Sequence, residues 1–469
     1  MTKKYDLVVI GGGPAGYAAA LYGSAAGLSV ALIEENKVGG TCLHVGCIPA
    51  KELLETASVL RSVRQAQDFG IITTEEPSID LSISQKRKQT VIDQLFNGLN
   101  SLLTGREVTI YSGKGSLGTD KKVEIKTSEG TETVQGENVL LATGSTPRTI
   151  KGFEIDEKFI VTSDEFLSIE EIPDRVAVIG GGAIGCEFAS LLNDLGSSVT
   201  LLEGLDEILP GCDKDVSTLV RRAFVKKGID IHTGAEVDGH EETDSKKMVS
   251  WSVGEEKNQL EVDLIIVSVG RKPNGQAAGL DGTEIVVDEK GFIEVDERLQ
   301  TKEKGVWAAG DVINSPQLAH VGFAEGIFVV KEILGESPVA IDPTTVPWCI
   351  YCDPEVAFAG LTEESAKSAG YKVVVSKHRY SGNGRAMIIG ETEGLVKVVA
   401  EADDEGKAGR ILGVHMAGPW VTEQLGQAYL AVNLEATVDE IATHIQAHPT
   451  LSELFGETVM SLTGRSLHG

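Results

Sequence analysis

Short uninterrupted apolar runs along the chain predict buried β-strands. Leu7–Ile10 and Val176–Ile179 each end in a glycine-rich turn, which a helix-like stretch follows. Each helix-like stretch leads to another apolar run, Val30–Ile33 or Val199–Leu202, that stops at an acidic residue. Because strand, glycine turn, helix, strand and acid form a βαβ unit, the pattern predicts two such units.

Both predicted units carry the same fingerprint of three glycines and an acid. The copies are Gly11, Gly13, Gly16 and Glu34 and, at identical spacing, Gly180, Gly182, Gly185 and Glu203. In a dinucleotide-binding turn the first glycine makes the turn, the second lets the backbone approach a pyrophosphate, and the third lets helix and strand pack closely. One such turn alone could be an ordinary tight loop, but two copies in this context predict two dinucleotide sites.

The acids that end the two units indicate which nucleotide binds. Glu34 and Glu203 would each accept hydrogen bonds from a ribose hydroxyl. Glu203 also disfavours NADP, because a carboxylate repels a 2′-phosphate and the following Gly204–Asp213 stretch contains no Arg or Lys. We therefore expect NAD at the second site, and a tightly held flavin at the first.

Two cysteines follow the first unit, at Cys42 and Cys47. Pro49 marks a helix start, so Cys47 would lie just before that helix, where the dipole and free amides favour a thiolate. Lys51, one turn further on, adds positive charge. Two buried structural thiols are the alternative interpretation, but the flanking glycines, the adjoining helix start and the nucleotide motifs favour redox chemistry.

The segment Gly39–Lys51 closely resembles the redox-active disulfide of the FAD-containing pyridine nucleotide-disulfide oxidoreductases, and the resemblance covers essentially the whole chain. In that family the first cysteine exchanges with substrate and the second contacts the flavin, which implies these roles for Cys42 and Cys47. The resemblance also implies that Lys51 lies beside the flavin N5 and that Glu187 is its carboxylate partner.

Two positions depart from the family's commonest dehydrogenase pattern. His44 stands where asparagine is usual, and Ala50 stands where serine is usual. Neither departure removes a reacting group.

The resemblance implies an α/β fold with two Rossmann-like dinucleotide-binding domains, for FAD and NAD, and a C-terminal α+β dimerisation domain. The expected boundaries are 1–147 for the FAD domain, 148–272 for the NAD domain, 273–343 for a central domain that completes the FAD site, and 344–469 for the interface domain.

Further cofactor contacts are implied by matching positions. Those expected for FAD, beyond the first fingerprint and the cysteine segment, are Pro14, Ala15, Glu35, Gly40, Thr41, Gly115, Thr143, Gly144, Ser145, Gly310, Asp311 and Ala319. Those expected for NAD, beyond the second fingerprint, are Ala183, Ile184, Val237 and Gly270.

The C-terminal segment that begins at His448 resembles the family's active-site base motif. Thiol exchange needs a group that takes a proton and later returns it, and imidazole does this near neutral pH. Glu453 is the expected carboxylate partner of His448. A helical metal pair with His444 is disfavoured because Pro449 interrupts a helix, so we expect no metal site.

Cys349 and Cys352 have the spacing of a thioredoxin motif. They lie in and next to a strand-like run, Val346–Tyr351, and residues three apart on a strand point to opposite faces. We therefore expect no disulfide between them, and we interpret Cys186 and Cys212 as packing residues.

Charge and composition limit the classes of partner that the chain can bind. The 469 residues carry a formal charge of −28, which disfavours nucleic acid and anionic membranes. The chain starts with a strand rather than a signal peptide, and its longest apolar stretches are strand-sized. We therefore expect a cytoplasmic protein. The family resemblance implies a homodimer whose partner carries a lipoyl group, such as an E2 component or an H-protein.

The implied reaction is the oxidation of dihydrolipoamide by NAD⁺ through the Cys42–Cys47 disulfide and FAD. Another disulfide reductase of the family is the nearest alternative, but glutathione-type enzymes usually use NADPH and carry basic residues where this chain has Glu203 and Gly204. A mercuric reductase would need a cysteine pair after Cys352. A catalytically idle flavoprotein scaffold is disfavoured by the intact cysteines and by His448.

Overall fold

The computed structural model describes residues 2–72, 75–242 and 246–468. Its first unit is a seven-stranded sheet in the order β3-β2-β1-β6-β5-β4, with β17 paired to β6. The strands are β1 (Lys3–Ile10), β2 (Val30–Glu34), β3 (Thr109–Ser112), β4 (Lys114–Leu117), β5 (Lys122–Thr127), β6 (Gly130–Leu141) and β17 (Val306–Ala308). Strands β1, β2, β3, β6 and β17 pair in parallel, and their apolar runs are buried.

Helices cover the first sheet and carry the cysteines. They are α1 (Pro14–Ala25), α2 (Gly40–His44), α3 (Cys47–Arg64), α4 (Leu81–Gly105) and α8 (Ala319–Ile333). Helix α8 lies directly on α1 at Gly326, where an added Cβ would stand 2.2 Å from the Ala15 carbonyl oxygen. Strand β17 and helix α8, which follow the second unit in the sequence, therefore pack against the first unit.

The second unit repeats the first βαβ pattern. Its five strands run in the order β11-β10-β9-β15-β8, and a separate antiparallel sheet has the order β12-β13-β14. The strands are β8 (Ile160–Val161), β9 (Arg175–Ile179), β10 (Ser198–Glu203), β11 (Asp230–Thr233), β12 (Ala235–Glu242), β13 (Lys247–Val253), β14 (Glu256–Val262) and β15 (Leu264–Val267). The helices are α5 (Ser163–Phe166), α6 (Ala183–Leu195) and α7 (Lys214–Lys227). The two βαβ units are thus confirmed as β1-α1-β2 and β9-α6-β10.

A two-stranded ribbon connects the first two units. It pairs β7 (Ser145–Pro147) with β16 (Arg271–Pro273) in antiparallel register. The chain therefore enters and leaves the second unit at one place.

The third unit is an antiparallel sheet in the order β18-β19-β22-β21-β20. Its strands are β18 (Trp348–Ile350), β19 (Glu355–Gly360), β20 (Val373–Arg379), β21 (Leu395–Ala402) and β22 (Ala408–Gly418). Its helices are α9 (Glu363–Ser368), α10 (Gly384–Ile389), α11 (Val421–Asn433), α12 (Val438–Ala442) and α13 (Glu453–Ser461). Side chains of α11 and α13 share a core with one face of the sheet, so the expected α+β C-terminal unit is confirmed.

No helix in the described ranges combines the length and the apolar character that crossing a bilayer requires.

Candidate active site

A disulfide joins Cys42 in α2 to Cys47 in α3, with their Cα atoms 4.5 Å apart. Helix α3 begins at Cys47, and not at Pro49 as we predicted. Gly46 has the non-helical cap conformation, and a proline in the first turn costs no intrahelical hydrogen bond, so the helix starts two residues earlier. Cys47 therefore occupies the first helical position, where free amides favour a thiolate once the disulfide opens.

Lys51, one turn beyond Cys47, forms a bidentate ion pair with Glu187. Its Nζ lies 2.9 Å from both carboxylate oxygens. Glu187 is 4% exposed on α6, and the Tyr351 amide also donates to it at 2.9 Å. The Lys51 ammonium lies 5.0 Å from the centre of the Tyr351 ring. All three units therefore meet at this pair, and a buried carboxylate holds the lysine beside the disulfide.

A second ion pair joins the same two helices about three turns along α3. Arg61 of α3 pairs with Asp194 of α6, and Arg64 donates to the Asp194 carbonyl oxygen at 2.7 Å. Burial raises the pKa of the Asp194 carboxyl, and the charge of Arg61 opposes that rise. Asp353 of the third unit also pairs with Arg61. Because two ion pairs link α3 to α6, the two helices keep Lys51 and Glu187 facing each other.

Of the three fingerprint glycines in the first turn, only Gly13 has open space beside its backbone. Gly11 has φ +106°, and a Cβ there would lie 2.2 Å from the Ala142 carbonyl oxygen; at Gly16 it would lie 1.8 Å from that of Gly11. At Gly13 the nearest atom would be 4.0 Å away. The turn thus closes on itself while Gly13, the cap of α1, leaves its backbone open to a phosphate group.

The second glycine turn repeats this geometry. Gly180 has φ +104°, and a Cβ at Gly185 would lie 1.8 Å from the Gly180 carbonyl oxygen. A Cβ at Gly182, the cap of α6, would meet no atom of the described residues within 4 Å. The space that a pyrophosphate needs is therefore present at both turns.

Both acids of the fingerprint hold their glycine turn. Glu34 accepts from the Gly12 amide at 2.6 Å, and Glu203 accepts from the Gly181 amide at 2.5 Å. Because each carboxylate oxygen can accept more than one hydrogen bond, both acids can also take a ribose hydroxyl. Both acids lie at the ends of their strands, next to the glycine turns.

Asp311 lies at the junction of the first unit and the connecting ribbon. Its carboxylate accepts from the Ser145 hydroxyl at 2.6 Å, and Arg271 donates to that hydroxyl at 2.7 Å. The neighbouring Gly310 amide donates to buried Glu325 at 2.6 Å, and burial raises the pKa of that carboxyl. The expected flavin residues on the two strand ends are thus brought together.

The remaining expected cofactor residues fall around the same turns. Pro14, Ala15 and Ala319 lie in the first turns of α1 and α8, Ala183 and Ile184 begin α6, Gly40 and Thr41 begin α2, Thr143 and Gly144 precede β7, Gly115 is in β4, and Val237 is in β12. Glu35 and Gly270 are exposed.

A substitution series would test the two glycine roles in the second turn. Gly185→Ala is expected to lower the free energy of unfolding by about 1–3 kcal/mol or more, because its methyl group would overlap the Gly180 carbonyl. Gly182→Ala should leave thermal stability near that of the parent chain but raise the KM for NAD⁺ on the order of tenfold, since only a bound pyrophosphate meets that methyl group. Thermal unfolding and steady-state kinetics measure both; an unaffected KM in Gly182→Ala would contradict the assignment.

His448 and Glu453 form a pair at the surface of the third unit. The His448 Nδ1 lies 3.0 Å from a Glu453 carboxylate oxygen, and the Thr450 amide donates to the other oxygen at 2.7 Å. The side chain of His448 is 74% exposed, whereas that of Glu453 is 13% exposed. A fixed carboxylate therefore orients an imidazole that projects outward, away from its own core.

The other four cysteines are free thiols. Burial raises the pKa of Cys349 to about 11 and that of Cys212 to about 12, and it raises the pKa of Cys186 and Cys352 well above the usual value. Since nucleophilic sulfur requires the thiolate, these environments leave Cys42 and Cys47 as the reactive pair.

Three residues that hydrogen-bond to the expected site residues were not predicted from the sequence. The Tyr351 amide donates a hydrogen bond to Glu187, and the Arg271 side chain donates one to the Ser145 hydroxyl. Glu325 accepts one from the Gly310 amide. Tyr351 ends the strand-like run that the sequence analysis considered for its cysteines, and Arg271 follows Gly270, which was expected to contact NAD. Glu325 is the one charged residue in the stretch Val321–Val330 of α8, and a charge at such a position was the available signal.

Family comparisons cover almost the whole chain. Residues 5–326 match the family described as pyridine nucleotide-disulphide oxidoreductase, and residues 346–459 match its dimerisation domain.

Similar proteins extend over the full length. The chain is 42% identical to a dihydrolipoyl dehydrogenase of Bacillus subtilis, with 100% of each chain covered. It is 38% identical to one of Thermus scotoductus, with 99% of each covered. Among solved structures, the flavoprotein disulfide reductase RclA of Escherichia coli has a TM-score of 0.86 at 27% identity, covering 98% of this chain and 100% of RclA. LpdA of Mycobacterium tuberculosis has a TM-score of 0.90 at 24% identity, covering 98% of this chain and 100% of LpdA, which supports the fold.

Proposed function

Because this chain belongs to the pyridine nucleotide-disulphide oxidoreductase family, we propose that it oxidises dihydrolipoamide to lipoamide and reduces NAD⁺. The observation that carries the proposal is the Cys42–Cys47 disulfide at the start of α3, one turn from the Lys51–Glu187 pair. Full-length relatives named dihydrolipoyl dehydrogenase support the choice of substrate.

The cofactors are FAD at the first glycine turn and NAD at the second. The residues that would hold them are the open caps Gly13 and Gly182, the acids Glu34 and Glu203, and Asp311. When bound, FAD supplies a two-electron acceptor beside the disulfide, and NAD⁺ supplies the final hydride acceptor.

The chain's own residues carry out the dithiol exchange. His448 takes a proton from one substrate thiol, and the resulting thiolate attacks the sulfur of Cys42, so that Cys47 leaves as a thiolate. The second substrate thiol then attacks its neighbouring sulfur in the mixed disulfide, closes the lipoamide disulfide and releases Cys42. The two substrate protons end on Cys42 and His448, and Cys47 remains a thiolate, so the substrate dithiol is oxidised by two electrons and the protein disulfide is reduced by two.

Each active site is proposed to contain residues of two subunits. Residues 346–459 form the dimerisation domain of the family, and His448 lies in it with an exposed side chain. In a dimer, this histidine would serve the disulfide of the partner subunit.

The substrate-bearing partner is proposed to be a lipoyl protein, either an E2 component or an H-protein. We also propose a cytoplasmic location, where a reducing environment keeps the four remaining cysteines free.

The nearest alternative, an NADPH-dependent disulfide reductase, is disfavoured by one observation. Glu203 is buried at the ribose end of the second glycine turn, where it would face the 2′-phosphate of NADP⁺. We therefore expect kcat/KM with NADP⁺ to be lower than with NAD⁺ on the order of 100-fold, because like charges in such a site cost several kcal/mol.

One comparative assay decides between the two substrates. Oxidation of dihydrolipoamide is measured as NADH formation from NAD⁺ and as NADPH formation from NADP⁺, alongside NADPH- and NADH-dependent reduction of glutathione disulfide. Faster turnover of glutathione disulfide with NADPH would overturn the proposal.

A further inference from the structure

One row of side chains crosses the whole sheet of the third unit on the face opposite α11 and α13. Directly paired residues share a face, and the pairs link one residue from each strand. The row consists of Trp348, Phe358, His415, Lys397 and Lys377. Its aromatic end is stacked, since the Trp348 and Phe358 rings lie 5.8 Å apart and nearly parallel.

Lys397 of this row is buried and fully paired. Its side chain is 3% exposed, and its Nζ lies within 2.8–2.9 Å of three carboxylates. They belong to Asp213, Asp215 and Glu363. Because an ammonium group has three N–H donors, each is used, and a buried charge is tolerated only with such compensation.

Two of these carboxylates belong to the second unit. Asp213 is the cap of α7 and is 2% exposed, and Asp215 lies in its first turn. The Lys397 contact therefore fastens the third unit to the segment that connects β10 with α7.

That connecting segment leads back to the second glycine turn. The Leu209 amide donates to the Gly181 carbonyl oxygen at 2.7 Å, while the Gly181 amide donates to Glu203. Leu209 has φ +55°, a conformation that a leucine rarely adopts and that persists only where its surroundings enforce it. The segment is thus held at Gly181 at one end and by Lys397 at the other.

The side chains at the aromatic end of the row do not pack tightly against the second unit. A cavity of about 150 Å³ lies between the segment Leu209–Cys212 and the side chains of Trp348 and Phe358. Around this cavity, Leu209 of the connecting segment and Ile350 of the third unit belong to one buried apolar cluster. Lys397 adds a buried ionic contact to this apolar one.

We propose that Lys397 is a positioning residue for the nicotinamide nucleotide, although it lies in a different unit from the nucleotide site. Through Asp213 it fixes the segment that holds Gly181 and Glu203, and so it sets the geometry in which the adenosine ribose and the pyrophosphate bind. The inference rests on the proposed assignment of NAD to the second glycine turn.

The test uses the FAD-loaded dimer and two separate half-reactions. Lys397→Met is compared with Lys397→Arg, and Lys372→Met is the control because Lys372 forms an exposed ion pair with Asp404 within the third unit. Anaerobic reduction by graded NADH, followed by flavin absorbance, gives the half-saturating NADH concentration. In Lys397→Met it should rise about tenfold, in Lys397→Arg less, and in the control not at all. Reduction by dihydrolipoamide should keep its rate.

An NADH half-saturation within about twofold of the parent in Lys397→Met would overturn the inference, as would equal losses in both half-reactions. If Lys397→Met yields no FAD-loaded dimer, Asp213→Asn is judged by the same criterion, since asparagine still caps α7. Failure of the parent protein to react with dihydrolipoamide would reject the proposed substrate, but the NADH half-reaction would still decide the role of Lys397.

Discussion

Replacing Cys47 with serine should reduce NADH formation from dihydrolipoamide on the order of 10⁴-fold or more, because the variant cannot form the disulfide that the substrate opens. The serine substitution leaves the glycine turns and Asp311 unchanged, so FAD should remain bound. Cys352→Ser is the matched control: Cys352 is a buried free thiol whose Sγ lies 3.2 Å from the Pro354 carbonyl oxygen, a bond that serine can keep. The initial rate of NADH formation measures the effect.

Cys42→Ser should be equally inactive but spectroscopically different from Cys47→Ser. Without its partner, the Cys47 thiol at the start of α3 can ionise against the flavin in the oxidised protein. A long-wavelength absorbance band in resting Cys42→Ser, and none in Cys47→Ser, would assign the two roles. The reverse result would exchange them, and substantial activity in either variant would reject the disulfide mechanism.

Replacing His448 with glutamine should lower the rate of dithiol oxidation by about 10²–10⁴-fold, the usual contribution of a general base. NADH should still reduce the flavin, because the Lys51–Glu187 pair and both nucleotide turns are unchanged. Stopped-flow reduction by dihydrolipoamide and by NADH separates the two effects. Equal slowing of both would show that the substitution disturbs the fold rather than proton transfer.

Mixed dimers test whether His448 serves the partner subunit. A heterodimer of Cys47→Ser with His448→Gln, purified through two different affinity tags, retains one intact site only if disulfide and histidine come from different subunits. We expect about half the activity of the parent dimer. The control heterodimer pairs the double variant with a parent subunit and should be inactive. An inactive first heterodimer and a half-active control would place each site within one chain.

The sequence predicted those parts of the fold that depend on local pattern. Apolar runs that end in a glycine turn located β1 and β9, and apolar runs that stop at an acidic residue located β2 and β10, because the fingerprint spacing is imposed by a single βαβ unit. The start of α3 was misplaced by two residues, since proline marks the first turn of a helix without fixing its first position.

Contacts between distant segments could not be read from local pattern. Lys51 and Glu187 lie 136 positions apart, and their pairing was expected only from the family resemblance. No motif indicated that Lys397 would bond Asp213, 184 positions away, because that contact depends on how the third unit docks on the second. For the same reason the ion pair between Arg61 and Asp194 could not be predicted from the sequence.

Anaerobic reductive titration tests the central claim most directly, which is that the Cys42–Cys47 disulfide and a flavin form one redox centre. Purified protein is titrated with dihydrolipoamide while absorbance is recorded. We predict yellow protein that takes up one electron pair for the disulfide and one for the flavin, with a long-wavelength band after the first pair. Colourless protein, or an uptake that the flavin alone explains, would contradict the account.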